Sequence, residues 1–213
     1  MWAGLTASAR KPLCAVIRRS ALLASLAILV LRTPALGDSS DGYDSSLAQA
    51  VRSATQQYRL VVWAVHDGYI QTTPYIPSFG TMYTNHERFD PRSLAQPTAL
   101  VYDLAGRLVA CSYQYVDRAN IPDALKSADA SSWYQIPRHV HYNLIEHGVA
   151  YYSQQPWDGD EQPTAAALQA RKLMPPDATL VFAFVHPAAT AIVIWAWMPN
   201  SYGLFDTANP ALP

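Results

Sequence analysis

The chain has 213 residues, of which 50% are apolar and 15% are charged, and its formal net charge is −1 at pH 7. Five of its 15 basic residues and none of its 16 acidic residues fall within residues 1–37, so the rest of the chain carries a net charge of −6. This balance excludes the basic footprint by which proteins bind nucleic acid or an anionic membrane. Residues 38–213 are long enough for one domain with a core, and their single cysteine, Cys111, excludes an intrachain disulfide.

Residues 1–37 have the pattern of a secretory signal. Small residues at positions 35 and 37 end the segment, and a short apolar run at 21–31 lies behind four basic residues, Arg10, Lys11, Arg18 and Arg19. The alternative is a retained N-terminal membrane anchor, but the apolar run is shorter than the roughly 20 residues that a spanning helix needs.

We therefore predict cleavage after Gly37, followed by a flexible leader (38–45) and a single domain (46–213). The signal predicts export to the periplasm or the extracellular space, with no stable membrane span after cleavage.

The first predicted element of the exported chain is a helix over residues 45–59. Its apolar side chains recur at three- and four-residue spacing, and Ser45 or Ser46 serves as the N-cap. The β-branched and aromatic run at 60–66 predicts a strand that ends at a turn signal. Residues 67–97 contain four prolines and little periodicity, which predicts a long ordered loop.

A β-hairpin is predicted over residues 98–116, because two apolar runs flank a turn that contains Gly106. A short helix is predicted at 121–128. A longer helix follows at 164–174, with Thr164 as its N-cap.

Two strong strand runs end the chain, one on each side of HPAA (186–189). The second run, 190–198, has almost no polar residue, which indicates a strand buried on both faces. Together these elements predict an α+β fold, a mostly antiparallel sheet of about six or seven strands with two or three helices packed on it, in a single domain. The sequence has no glycine-rich phosphate loop and no Gly-x-Ser-x-Gly motif.

The densest group of chemically capable side chains is RHVHYNLIEHG (138–148), which holds three of the six histidines. As a strand, this segment places His139, His141 and Asn143 on one face and apolar side chains on the other, and it pairs with residues 149–154 as a hairpin. A short helix is the alternative. On a strand the two histidines stand about 7 Å apart at the backbone, a distance that two ring nitrogens can bridge to one metal ion.

This spacing leads to a metal-site hypothesis. His139 and His141 are the candidate ligands, Glu146 folds back from the turn as a third, and His86 is a more distant candidate from another loop. The ion would be divalent zinc, iron, manganese or copper, and it would lower the pKa of a coordinated water, as hydrolases and oxygenases require. The His-x-His-x4-Glu spacing matches the first half of the cupin metal motif, but the second half is missing.

Two other interpretations stay open. Histidines on the exposed face of an edge hairpin need no ligand at all. The narrowly favoured interpretation is a non-enzymatic exported domain that binds a small apolar or sugar-like ligand, or another copy of itself, through its aromatic side chains. We expect His186 to serve the turn between the last two strands, and Cys111 to be buried as a small apolar residue.

Three segments together resemble a family of uncharacterised, mostly bacterial exported proteins: FGTMYTN (79–85), PTALVYDLAGRLVACSYQY (97–115) and WAWMPNSYGLFDTANP (195–210). The family pattern is a Gly-x-His-Tyr-x-Asn loop, a Leu-x-Tyr hairpin with a glycine turn and a Val-Glu-Tyr strand, a His-Val-Trp strand, and a closing Gly-x-Phe followed by Asn-Pro. The resemblance implies a shared fold and export, and it implies no particular activity.

This chain departs from the family at three polar positions. Met82 stands where the family has histidine in the first loop, Ser112 where it has glutamate in the hairpin, and Val193 where it has the late histidine. Should those positions form a site in relatives, His86, His139 and His141 would have to replace it here.

Overall fold

The structure is a computed structural model that describes Tyr43 and residues 45–213. The predicted signal segment, 1–37, and most of the predicted leader lie outside the described residues. In the described part the α-helices are α1 (Ser46–Thr55), α2 (Val61–His66), α3 (Asp123–Lys126) and α4 (Ala165–Ala170). The strands are β1 (Ile70–Gln71), β2 (Thr81–Thr84), β3 (Ala99–Tyr102), β4 (Leu108–Tyr115), β5 (Tyr134–Ile136), β6 (His139–Glu146), β7 (Val149–Pro156), β8 (Thr179–His186) and β9 (Ala189–Ile194).

The larger sheet has six strands in the order β1-β2-β3-β4-β9-β5, and every pairing is antiparallel. Its strands β4 and β9 are buried along their whole length. One face packs against α1, which begins at the N-cap Ser45 and turns Ala48, Val51 and Thr55 inward. Burial of this apolar surface on both sides of β4 and β9 stabilises the sheet.

Each of three buried tyrosines in the core of this sheet donates a hydrogen bond to a backbone carbonyl group. Tyr69 donates its hydroxyl to Pro97, Tyr102 to Tyr58 and Tyr113 to Leu94, at 2.6–2.9 Å. Burial raises the pKa of each phenol, so all three stay neutral donors. The polar groups of this core are thus satisfied within the core itself.

The smaller sheet has three antiparallel strands in the order β7-β6-β8. A two-residue turn joins β6 to β7, and both of its residues, His147 and Gly148, have positive φ (50° and 78°), as a tight hairpin turn requires. One face of this sheet packs its apolar side chains against α4 and the segment after it.

Most predicted elements agree with the structure. The mostly antiparallel α+β fold, the 98–116 hairpin, the strand at 138–148 and the buried last strand are confirmed. The N-caps Ser45 and Thr164 each accept a hydrogen bond from a backbone N–H of their helix. The helices are shorter than predicted, and the strands form two sheets because β8 and β9, although successive, pair in different ones.

The predicted strand at 60–66 is wrong, because these residues form helix α2. The backbone of Arg59 and Val61 bonds to the turn of the β3–β4 hairpin, and Leu60 makes only an isolated bridge to Arg107. The chain then coils so that Ala64 turns inward at helical spacing from Val61. The predicted loop at 67–97 is also partly wrong, since it contains β1 and β2.

None of the helices in the described part of the chain is long and apolar enough to cross a membrane.

Candidate metal centre

One face of the smaller sheet carries three histidines. Side chains alternate along β6, so that His139, His141 and Asn143 lie on one face while Val140, Tyr142 and Leu144 contribute to the apolar cluster around α4. On the neighbouring strand β8, three side chains stand opposite in register: His186 beside His139, Phe184 beside His141 and Phe182 beside Asn143. His139, His141 and His186 are referred to below as the histidine cluster.

The larger sheet and a loop cover this face. Gln114 of β4 reaches His186, and the Asn143 amide donates to the backbone oxygen of Gln71. The Phe89 ring packs edge-on against His186, with ring centroids 4.8 Å apart. His141 and His186 are therefore 4% and 3% exposed, while His139 is only partly buried. The cluster lies between the two sheets, with His139 at its solvent edge.

The imidazole rings are in direct contact. Nε2 of His139 lies 2.9 Å from Nε2 of His141, and the His186 ring stacks on His139 with centroids 4.5 Å apart. The His141 ring stacks in turn on Phe184 at 5.1 Å. The three rings thus pack against one another and against Phe184, and their nitrogens lie on this face beside the Asn143 amide.

Backbone carbonyl groups determine the tautomers of two of the rings. Nδ1 of His139 lies 2.7 Å from the Pro137 oxygen, and Nδ1 of His186 lies 2.7 Å from the Pro187 oxygen. A carbonyl oxygen only accepts, so each Nδ1 carries the hydrogen and each neutral ring has a lone pair on Nε2. Both Nε2 atoms are therefore available as acceptors or as metal ligands.

The Gln114 amide bridges His186 and Ser112. Its Oε1 lies 2.7 Å from His186 Nε2, and its NH2 group donates to Ser112 Oγ over 3.3 Å. With the hydrogen of His186 on Nδ1, this orientation sets two acceptors opposite each other, and a half-turn of the amide lets NH2 donate to His186 while the oxygen accepts from the Ser112 hydroxyl. Ser112 also bonds the Tyr134 hydroxyl, whose pKa burial raises to about 12. A continuous chain of polar groups therefore runs from His186 into the larger sheet.

His141 is the ring without a complete set of partners. Its Nδ1 is buried and has no hydrogen-bond partner among the described residues. If Nε2 carries the hydrogen, it donates to His139 and Nδ1 is an unpaired buried lone pair. If Nδ1 carries it, toward the nearby backbone of Thr72, two Nε2 lone pairs face each other at 2.9 Å. Either arrangement leaves a nitrogen lone pair without a hydrogen-bond donor, which costs free energy in a buried site.

Burial lowers the pKa of all three histidines. The pKa of His186 falls to about 3, and that of His141 lies well below its usual value, with the neighbouring histidines adding to the effect. Loss of hydration also lowers the pKa of His139, and its bond to the Pro137 carbonyl opposes this shift. The cluster is thus a set of neutral imidazoles at neutral pH, the form that binds metals.

Comparison with family models, with curated proteins and with solved structures finds no match to this chain.

The candidate ligands proposed from the sequence are not all brought together. His139 and His141 are adjacent, as the strand pattern predicted. His86 is exposed at the margin, where its ring packs against Phe182 and Phe184. Glu146 lies at the far end of β6, seven residues or about 23 Å from His139.

At that far end Glu146 joins a different group. A carboxylate oxygen of Glu146, a ring nitrogen of His147 and a carboxylate oxygen of Asp177 all lie within 4.8 Å of one another, on a largely exposed surface. The three histidines of the cluster are not grouped as closely among the described residues, so His186 must turn its ring to share an ion with His139 and His141.

Sequence reasoning missed His186 and Gln114. His186 was assigned to a turn, but it is the last residue of β8 and its side chain faces the cluster. The available signal was the alternation of Phe182, Phe184 and His186 along the run, which places all three on one face.

The positions at which the resembled family has polar residues fall on the larger sheet. Ser112 and Val193 are directly opposed on β4 and β9, and Met82 lies on β2. Ser112 shares its face with Gln114, two residues along β4. In this chain the positions hold one hydroxyl and two apolar side chains, and the histidines lie on the opposing sheet.

Proposed function

We propose that this protein binds a transition-metal ion between the imidazoles of His139 and His141. The observation that supports this most directly is the separation of 2.9 Å between their Nε2 atoms, with Nδ1 of His139 held by the Pro137 carbonyl. A backbone carbonyl on Nδ1 is the usual outer partner of a metal-binding histidine, because it orients the ring and directs Nε2 to the ion.

The spacing suits two ligands of one ion. With metal–nitrogen bonds of about 2.0–2.1 Å, nitrogens 2.9 Å apart subtend an angle of about 90°, and a tetrahedral angle needs a separation of about 3.3–3.4 Å. A shift of less than about 0.5 Å therefore converts the present pair into either geometry. The ion would also occupy the lone pairs that hydrogen bonding alone leaves unpaired.

The donor set favours zinc, copper or iron over manganese among the candidate metals. Imidazole is a ligand of intermediate softness that suits zinc, copper, iron and nickel, whereas calcium, magnesium and manganese favour oxygen ligands. His186 is the proposed third ligand, and to reach the ion its ring must turn away from its stack on His139 and its Nε2 must leave the Gln114 amide. Since burial lowers the three pKa values, the rings serve as neutral ligands near neutral pH.

The test is a metal titration of the purified, chelator-treated protein, with Zn²⁺ and Cu²⁺ in separate calorimetric experiments. We expect one equivalent to bind, and we expect the double variant His139→Ala/His141→Ala to weaken binding at least 100-fold. His147→Ala is the matched control, because this histidine is exposed and belongs to the separate group with Asp177.

Two results would overturn the proposal. The first is no binding of either metal by the native protein. The second is equal binding by the native protein and the double variant, which would place the metal elsewhere on the chain. Loss of binding in His147→Ala alone would assign it to the exposed group at the far end of β6.

A further inference from the structure

Exposed apolar residues form a patch on helix α2, on the residue before it and on the neighbouring hairpin turn. Its large side chains are mostly exposed: Leu60 by 51%, Val62 by 60%, Trp63 by 57%, Val65 by 54% and Leu104 by 70%. These five residues are the apolar patch. Single exposed apolar residues are common, but five together on adjoining elements mark an interaction surface.

The patch is held in place by buried contacts beneath it. Val61 packs against Gly106 of the hairpin turn and donates its N–H to the Gly106 oxygen, while Ala64 is fully buried. At the other end of α2, Asp67 accepts hydrogen bonds from Tyr58 and Arg88. Both ends of the short helix are thus tied to the core, so its exposed side chains form a preorganised surface.

The charges at the margin of the patch are largely compensated. Arg107 pairs with Asp103 at 2.8 Å, and Asp67 pairs with Arg88 at 3.1 Å. Arg59, next to Leu60, lies over the Trp197 ring. An anionic lipid surface or an acidic peptide would find little uncompensated positive charge here, whereas a surface with few net charges can meet an identical copy without like-charge repulsion.

The area of the patch also suits a second copy. Aromatic side chains bury on the order of 150–250 Å² each and the four aliphatic side chains here are smaller, so five that are just over half exposed offer at most roughly 500 Å². Two such patches face to face bury up to about 1,000 Å², which is the minimum for a specific interface and is typical of a weak, concentration-dependent dimer.

We propose that the apolar patch is a homodimer interface, formed by two copies of this chain around a two-fold axis close to Trp63. In a two-fold contact the same surface meets itself, so every residue of the apolar patch meets residues of the same patch on the other copy. The proposal is independent of the metal site, because the histidine cluster lies elsewhere, between the two sheets.

The test is sedimentation velocity of the purified protein between about 1 and 100 µM. We expect a concentration-dependent dimer, and we expect Trp63→Ser/Leu104→Ser to raise the dimer dissociation constant at least 100-fold. Tyr202→Ser is the matched control, because Tyr202 is similarly exposed and lies outside the patch, and it should dimerise like the native chain. Circular dichroism checks that each variant is folded.

A native protein that stays monomeric at 100 µM overturns the proposal, as does a dimer that the double substitution leaves unchanged. Vesicles of neutral and of anionic phospholipid provide a further arm. A monomer that floats with vesicles and loses this binding on substitution of Trp63 and Leu104 would assign the patch to a lipid surface instead.

Discussion

The two sheets of this protein treat buried polar groups in opposite ways. In the larger sheet, the hydroxyls of Tyr69, Tyr102 and Tyr113 each donate to one backbone carbonyl, and the pairing is complete. In the smaller sheet, His139 and His141 share one short contact and leave a buried ring nitrogen unpaired. A buried polar side chain with all its hydrogen-bond partners inside the protein typically has a structural role. One with a partner missing indicates a place where a ligand adds stability.

The difference lies in the hydrogen-bonding groups that each side chain still has free after its first bond. A phenol that has donated to a carbonyl has no further hydrogen to give. An imidazole that has donated from Nδ1 still has a lone pair on Nε2, aimed away from the backbone that holds it. The smaller sheet therefore keeps a set of oriented donor atoms between the two sheets, and the larger sheet provides the wall against which they are held.

The largest predicted effect is a loss of stability in acid, and it comes from His186 in the smaller sheet. The pKa of His186 is about 3 in the folded chain and about 6.5 when unfolded, so below pH 6.5 the unfolded state binds the proton that the folded state refuses. Stability from this residue is complete above pH 6.5 and is lost as the pH falls toward 3. We expect a loss on the order of 4 kcal/mol between pH 7 and pH 3.

Urea unfolding at several pH values measures this effect, and His186→Gln isolates it. Carboxylates titrate in both proteins, so the difference between their pH profiles reports the histidine. The variant should lose less stability than the native chain between pH 6 and pH 3. Parallel profiles would show that His186 accepts a proton in the folded state as readily as in the unfolded one.

The packing density of the two sheets can be compared at two glycines, one next to a strand of each sheet. Gly80, just before β2, has φ +101°, and a Cβ there would lie 2.6 Å from the Tyr102 oxygen. Gly148 in the β6–β7 turn has φ +78° with nothing within 4 Å of such a Cβ. Alanine therefore costs backbone strain at both sites, about 1–2 kcal/mol, and an additional clash at Gly80 that raises the cost to about 3 kcal/mol.

Denaturant unfolding of Gly80→Ala and Gly148→Ala measures the two losses side by side. Equal losses would contradict the tighter packing inferred for the larger sheet. A larger loss for Gly148→Ala would mean that the β6–β7 turn, and not the β2–β3 contact, limits stability.

Local patterns predicted the two hairpins, since alternation along 138–146 and the Gly106 turn act over a few residues. They did not predict α2, because an uninterrupted apolar run such as 60–66 has no period that separates strand from helix. The bonds from Arg59 and Val61 to the β3–β4 turn decide that segment, and they join residues more than 40 positions apart.

The histidine cluster was half predictable for the same reason. His139 and His141 are two residues apart on one strand, so a pattern places them together. His186 comes 45 residues after His141, and it joins them only because β8 pairs with β6 while the next strand, β9, joins the other sheet. Glu146 was favoured by its spacing, but an extended strand carries it away from the histidines.

The smallest predicted effect concerns one of the hydrogen bonds between the two sheets. The Asn143 amide donates to the backbone oxygen of Gln71 over 2.9 Å, from the same face of β6 as the histidines. Asn143→Ala removes this bond and leaves a buried carbonyl with one donor fewer, so we expect a loss of about 1 kcal/mol in urea unfolding. Thr179→Ala, at the exposed start of β8, is the control and should change stability by less than about 0.5 kcal/mol.

The size of the Asn143 effect decides how the histidine face is held against the larger sheet. A loss near 1 kcal/mol, with metal binding weakened in the same variant, would mean that this bond helps to position the cluster. A loss no larger than that of the control would leave the contact of His186 with Gln114 as the polar link between the sheets. Metal binding would then have to break that link for His186 to become a ligand, and the affinity of the native chain would be lowered by its cost.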